Sequence, residues 1–159
     1  MSHQKPFPGR LLGIDHGNVY IGLATCDRSG LIATPHSVLE RQSKKEDFAK
    51  INQLIEAEEI AGIVLGLPPR PPDFEGYSQQ DTVRLWASRL NQAVEVSICF
   101  WDEGLSSADA AQLLAETGQT RPERIDAHAA AFILQSFLDA IREGQPWPEP
   151  LPVEESSEE

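Results

Sequence analysis

The chain has 159 residues, 40% of them hydrophobic and 24% charged, which suits one domain with a core of its own and argues against disorder throughout. No apolar run approaches the roughly 20 residues that span a bilayer, and the N-terminal MSHQKPFPGR has no apolar segment of the kind a secretion signal needs. The net charge of −12, still −7 for residues 1–148 once the five glutamates of the last eleven residues are set aside, rules out nucleic-acid binding through bulk positive charge and confines any such role to a local site.

Residues 1–9 read as a flexible leader. From Arg10 the pattern is strand-like. Leu11–Asp15 is a short apolar run, and His16-Gly17-Asn18 is a turn signal. Val19–Cys26 is a second run, closed by Asp27-Arg28-Ser29-Gly30. Leu31–Leu39 is a third, and Pro35 inside it predicts an edge position or a break. Three strands joined by short turns predict an antiparallel meander.

The period then changes. Apolar residues at 48, 51, 54, 55 and 60 trace a helical stripe. The run 61–68, AGIVLGLP, predicts a strand buried on both faces, and the prolines at 68, 69, 71 and 72 end it in a loop. Residues 81–92 predict a helix with Val83, Trp86 and Leu90 on one face, and VEVSICFWDE a fifth strand ending on two acids. A short helix is expected over 106–118, from a serine cap to a terminal glycine. A long one is expected over 120–144, with Thr120 and Glu123 as a capping box and Pro122 in the first turn. Residues 145–159, rich in proline and glutamate, predict a disordered acidic tail. The order implies an α/β fold, a mixed five-stranded sheet flanked by helices, with strands four and five parallel to strand one. Cys26 and Cys99 lie in apolar runs, outside any CxxC pair. They predict two buried thiols in a reducing cytoplasm.

Three carboxylates stand where a core is expected. Asp15 ends the first strand, and Glu103 ends the fifth. If both strands run the same way, these acids share the carboxyl edge, where ligands gather in open α/β sheets. Asp126 falls on the stripe of Ala129, Ala130, Ile133 and Phe137, the core side of the long helix. Each acid alone has an ordinary reading: a turn cap, a partner of a helix dipole, a core acid paired with arginine. Together they would cost several kcal/mol each unless positive charge offsets them. Acids without a Cys or His cluster suit Mg²⁺ or Mn²⁺. Two such ions about 3.5–4 Å apart activate water and stabilise the leaving oxygen of a phosphodiester. His16 and His128 adjoin two of the acids and are candidates for a hydrogen bond to water or substrate.

Four blocks in order then carry a resemblance. GIDHGNVYIGLA, VLGLP with the following Gly76 and Gln79, WDEGLSSADA, and RIDAHAAAFILQSFLD together resemble the YqgF family. These are RNase H-like Holliday-junction resolvases, also regarded as nucleases of the 16S rRNA precursor. The resemblance runs from about Leu11 to Gly144. It implies an RNase H-like domain over 10–144, with Asp15, Glu103 and Asp126 as catalytic metal ligands for Mg²⁺ or Mn²⁺, two ions in all. It implies a nucleic-acid partner, RNA or branched DNA, for a cytoplasmic monomer or homodimer without membrane contact. The family usually has arginine where Tyr20 and Gly104 stand here, so this chain has less positive charge beside its acids. Ser106 and Ser107 match the hydroxyl residues after the glutamate. Arg70, Arg84 and Arg89 are candidate phosphate contacts. Two other readings stay open: a non-catalytic RNase H-like binding module, and an actin-like ATPase, for which the chain is short by one lobe.

Overall fold

The computed structural model describes residues 8–68, 76, 78–102 and 122–152. Its strands are β1 (Arg10–His16), β2 (Tyr20–Cys26), β3 (Ala33–Glu40), β4 (Ile60–Leu67) and β5 (Ser97–Asp102). Its helices are α1 (Lys44–Glu58), α2 (Gln79–Ala93) and α3 (Pro122–Arg142). The strands form one sheet in the order β3-β2-β1-β4-β5. β1, β2 and β3 are antiparallel neighbours, while β4 and β5 join parallel to β1. The predicted mixed sheet is the one observed. The short helix expected over 106–118 and Thr120, expected to cap the long helix, lie outside the described residues.

Local chemistry accounts for the boundaries. Ser43 caps α1 by accepting from the Glu46 amide at 3.1 Å, leaving one fewer unpaired donor in the first turn. Ser78 and Asp81 form a reciprocal capping box on α2. β3 is an edge strand, as Pro35 requires, and its register with β2 shifts where Ala24 faces Pro35. Leu31 and Ile32, expected in this strand, precede it and are exposed. There Asp27 draws the turn closed, accepting from the amides of Ser29, Leu31 and Ile32.

Alternation along the strands builds two cores. Leu12, Ile14, Ile63, Leu65 and Ile98 face α1 and α2, against Phe48, Ile51, Trp86 and Leu90. Leu11, Val64 and Cys99 face α3, against Ile133, Leu134 and Phe137. Each such side chain, fully buried, contributes about 1.5–3 kcal/mol. Both cysteines are buried and free.

The chain after α3 departs from expectation in its first half. Residues 145–152 are docked rather than disordered. Trp147 stands edge-on to Phe137, with centroids 5.0 Å apart. The Leu151 amide donates to the Ile98 carbonyl on β5 at 2.7 Å, and Asn91 Nδ2 donates to the Pro152 carbonyl at 2.9 Å. Large apolar surfaces and open backbone acceptors supply contacts that charge counting does not see.

Candidate metal centre at the carboxyl edge

Asp15 is the next-to-last residue of β1 and half-buried. It lies directly opposite Gly22 on β2. Opposed residues of an antiparallel pair project from the same face. On β1 that face also carries Leu11 and Gly13, four and two residues back, and both meet α3.

Two glycines decide how close α3 comes. A Cβ on Gly13 would lie 2.8 Å from Leu134 Cβ and 3.0 Å from the Ala130 carbonyl oxygen. A Cβ on Gly22 would overlap the Asp126 carbonyl outright. The helix backbone therefore rests on the sheet, with its Asp126 turn against the residue paired to Asp15. Downstream, Ala129, Ala130, Ile133 and Phe137 are buried as their spacing predicts. The main chain at Asp126 therefore lies against the strand pair that carries Asp15 near the carboxyl end of β1, and both residues are half-buried.

The third, Glu103, lies outside the described residues, as do Arg70, Gly104, Ser106 and Ser107. β5 ends at Asp102, whose partner on β4 is Leu67. β5 thus ends at the same edge of the sheet as β1 and β4. No cluster of three metal-binding side chains occurs among the described residues. Asp15 and Asp126 offer hard oxygen donors from separate elements, which fits Mg²⁺ or Mn²⁺ better than zinc.

His16 is on the opposite face. Its ring is 6% exposed and 4.8 Å from the Trp86 ring, and neither nitrogen has a hydrogen-bond partner among the described residues. Burial, and after it the Arg41 charge, pulls its imidazole down to about 4. A neutral core imidazole packed on Trp86 is a poor fit to the polar role that its place beside Asp15 suggested. His128 is half-buried on α3. Tyr20, where the family usually has arginine, pairs with Glu40 on β3.

Of the arginines, Arg84 and Arg89 lie on α2 and Arg41 at the end of β3. Arg84 is exposed, stacks 5.1 Å above the Phe100 ring and donates through Nε to Gln80 Oε1 at 3.3 Å. Arg89 is exposed further along α2. Arg41, which sequence reasoning missed, follows β3 directly. Its Nη1 donates to the carbonyls of Gly17 and Asn18 at 3.1 and 3.2 Å. Nothing local marks it, because the contact spans 23 or 24 positions of chain.

A family model described as Holliday junction resolvase, RuvX, matches residues 9–140. The chain belongs to the RuvX family. Curated relatives agree over most of the sequence. A protein of Ruegeria pomeroyi named "Putative pre-16S rRNA nuclease" is 43% identical, over 83% of this chain and 87% of its own. One of Syntrophus aciditrophicus with the same name is 37% identical, over 83% and 89%. Solved structures share the fold at low identity. T. thermophilus RuvC in complex with Holliday junction substrate superposes with a TM-score of 0.53 at 17% identity, over 90% of this chain and 99% of that one. The Fowlpox virus resolvase, in complex with Holliday junction DNA, gives 0.54 at 6%, over 83% and 98%. The RuvX chain described here therefore has the RNase H-like architecture of resolvases, and no helix among its described residues is long and apolar enough to cross a membrane.

Proposed function

We propose that this RuvX chain is a divalent-metal-dependent endonuclease that hydrolyses phosphodiester bonds in structured nucleic acid. Its substrate is the 16S rRNA precursor or Holliday-junction-type DNA, in the cytoplasm. One observation carries the reading. Gly22 lets the Asp126 turn of α3 press onto β2 beside Asp15, so two acids share the carboxyl edge of the sheet. Family membership and the relatives' names support the reaction class.

Asp15 and Asp126 hold the metal, and Glu103 completes the set. Two Mg²⁺ or Mn²⁺ ions, when bound, supply Lewis-acid polarisation of the phosphate and of the attacking water. The protein supplies position. Main-chain pairing of Asp15 with Gly22 fixes one carboxylate. The buried Ala129, Ala130 and Ile133 fix the helix that carries the other. Arg84 offers a guanidinium to the substrate backbone, and Arg70, Ser106 and Ser107 are further contacts from the sequence. The chain acts as a monomer or homodimer; two-fold symmetry would suit a four-way junction.

The deciding experiment is cleavage of end-labelled structured RNA and four-way-junction DNA in Mg²⁺ or Mn²⁺, with Asp15→Asn purified in parallel. The proposal expects wild type to cut and Asp15→Asn to lose at least about a hundredfold in rate. Equal cutting by both, or cutting by neither with any metal, would sink it.

A further inference from the structure

Arginines in this chain are partnered differently at the two ends of the sheet. At the amino end of β1, Arg10 pairs with Glu58 at 2.8 Å and Arg28 with Glu59, and Arg142, at the end of α3, pairs with Asp139. At the carboxyl end, Arg41 pairs with no carboxylate among the described residues. It is fastened by neutral oxygens instead: Gly17 and Asn18 carbonyls on Nη1. Its own amide donates to the Val19 carbonyl at 2.9 Å. The chain has 25 acids for 13 lysines and arginines, so partners are in surplus. A guanidinium left without one carries a charge that no neighbouring carboxylate compensates.

The oxygens that hold it belong to the turn that continues from Asp15 and His16. Gly17 donates to the Tyr20 carbonyl at 3.0 Å, closing that turn. Arg41 is half-buried, and among the described residues only its Nη1 is engaged by a hydrogen bond. Its other N–H donors remain for a ligand. A guanidinium already fixed on one side has lost much of its rotamer freedom before binding, which lowers the entropic cost of a new contact. Its planar fork matches phosphate oxygens, and its charge offsets the acid edge that a polyanion must approach.

We propose that Arg41 is a substrate phosphate contact of this site, holding the β1–β2 turn through Nη1 and gripping the nucleic-acid backbone with its remaining donors. The inference rests on the nuclease reading above and adds a binding residue to it.

The test measures binding of labelled hairpin RNA and four-way-junction DNA by the full chain, in Mg²⁺ and over a series of salt concentrations. An Asp15→Asn background keeps the probes intact. Arg41→Gln removes the charge but keeps an N–H donor for Gly17 and Asn18. Arg41→Lys keeps the charge and loses the fork. Arg41→Gln is expected to weaken binding about tenfold and to lower the slope of log Kd against log salt by about one. Arg41→Lys is expected to restore the slope while leaving affinity about threefold weak. Parental affinity and slope in both variants would overturn the inference and leave Arg41 a clamp on the turn. Should Arg41→Gln fail to fold, Arg41→Lys decides alone, since parental affinity there overturns the claim. A parent that binds neither probe at any salt fails the nuclease reading itself, and the inference with it.

Discussion

Gly22 on β2 and Asp126 on α3 meet main chain to main chain, with no room between them for a methyl group. Gly22 is also the pairing partner of Asp15. One glycine thereby ties the helix that carries one acid to the strand that carries the other. The placing of the Asp126 turn beside the strand pair that holds Asp15 is a matter of backbone packing, settled before any ion binds.

Gly22→Ala should therefore be among the most damaging single substitutions in the domain. The new methyl faces a carbonyl, which cannot rotate away as a side-chain end can. We expect a loss of about 3 kcal/mol or more. Gly13→Ala, opposed by Leu134 Cβ at 2.8 Å, should cost less. Denaturant melts of the two variants check the order. A Gly22→Ala protein as stable as wild type would show that α3 does not rest on the sheet.

The paired acids predict a metal effect on stability independent of cleavage. In EDTA, Asp15→Asn should melt at or above the wild-type temperature, because it removes a half-buried negative charge from the edge of the sheet. On adding Mg²⁺ or Mn²⁺, wild type should gain a few degrees and Asp15→Asn almost none. Differential scanning fluorimetry reads both arms. Equal metal shifts in the two proteins would place the ion elsewhere.

Acid stability should depend on Asp27. The Ser29 hydroxyl first, then the Ile32, Leu31 and Ser29 amides, hold its carboxyl well below the usual carboxylate range. A carboxylate with a folded value below its unfolded one stabilises fully above about pH 4 and loses that contribution as pH falls further. The group is half-buried at a surface turn, where solvent screening leaves its hydrogen bonds worth about 1 kcal/mol in total. Asp27→Asn should lower stability near neutrality by that amount and flatten the decline below about pH 4. Urea melts across this range check it, and parallel curves for the two proteins would contradict it.

Much of the fold was legible because it follows from local pattern. Short apolar runs marked all five strands, the change of period marked the helices, and Pro35 marked the edge. Asp126 was placed on the core side of its helix by spacing alone, and its neighbours Ala130 and Ile133 are fully buried. The rest depends on contacts between distant parts of the chain. Arg41 reaches a turn far behind it, and no periodicity encodes that. Trp147 and Leu151 sit in a stretch whose prolines and glutamates suggest disorder, yet two apolar side chains and two hydrogen bonds dock it. His16 adjoins Asp15 in sequence, but pleat alternation sends the two side chains to opposite faces, so adjacency misleads there.

The docked segment after α3 has a colloidal consequence. An open sheet ends in two unpaired ladders, each a template on which another chain can grow. Here one ladder is spoiled by Pro35 and the register shift beside it. The other is occupied at Ile98 by the Leu151 amide. Neither end of the sheet can add a flat foreign strand without displacing something, so the protein resists edge-to-edge polymerisation even where its charge is screened by salt.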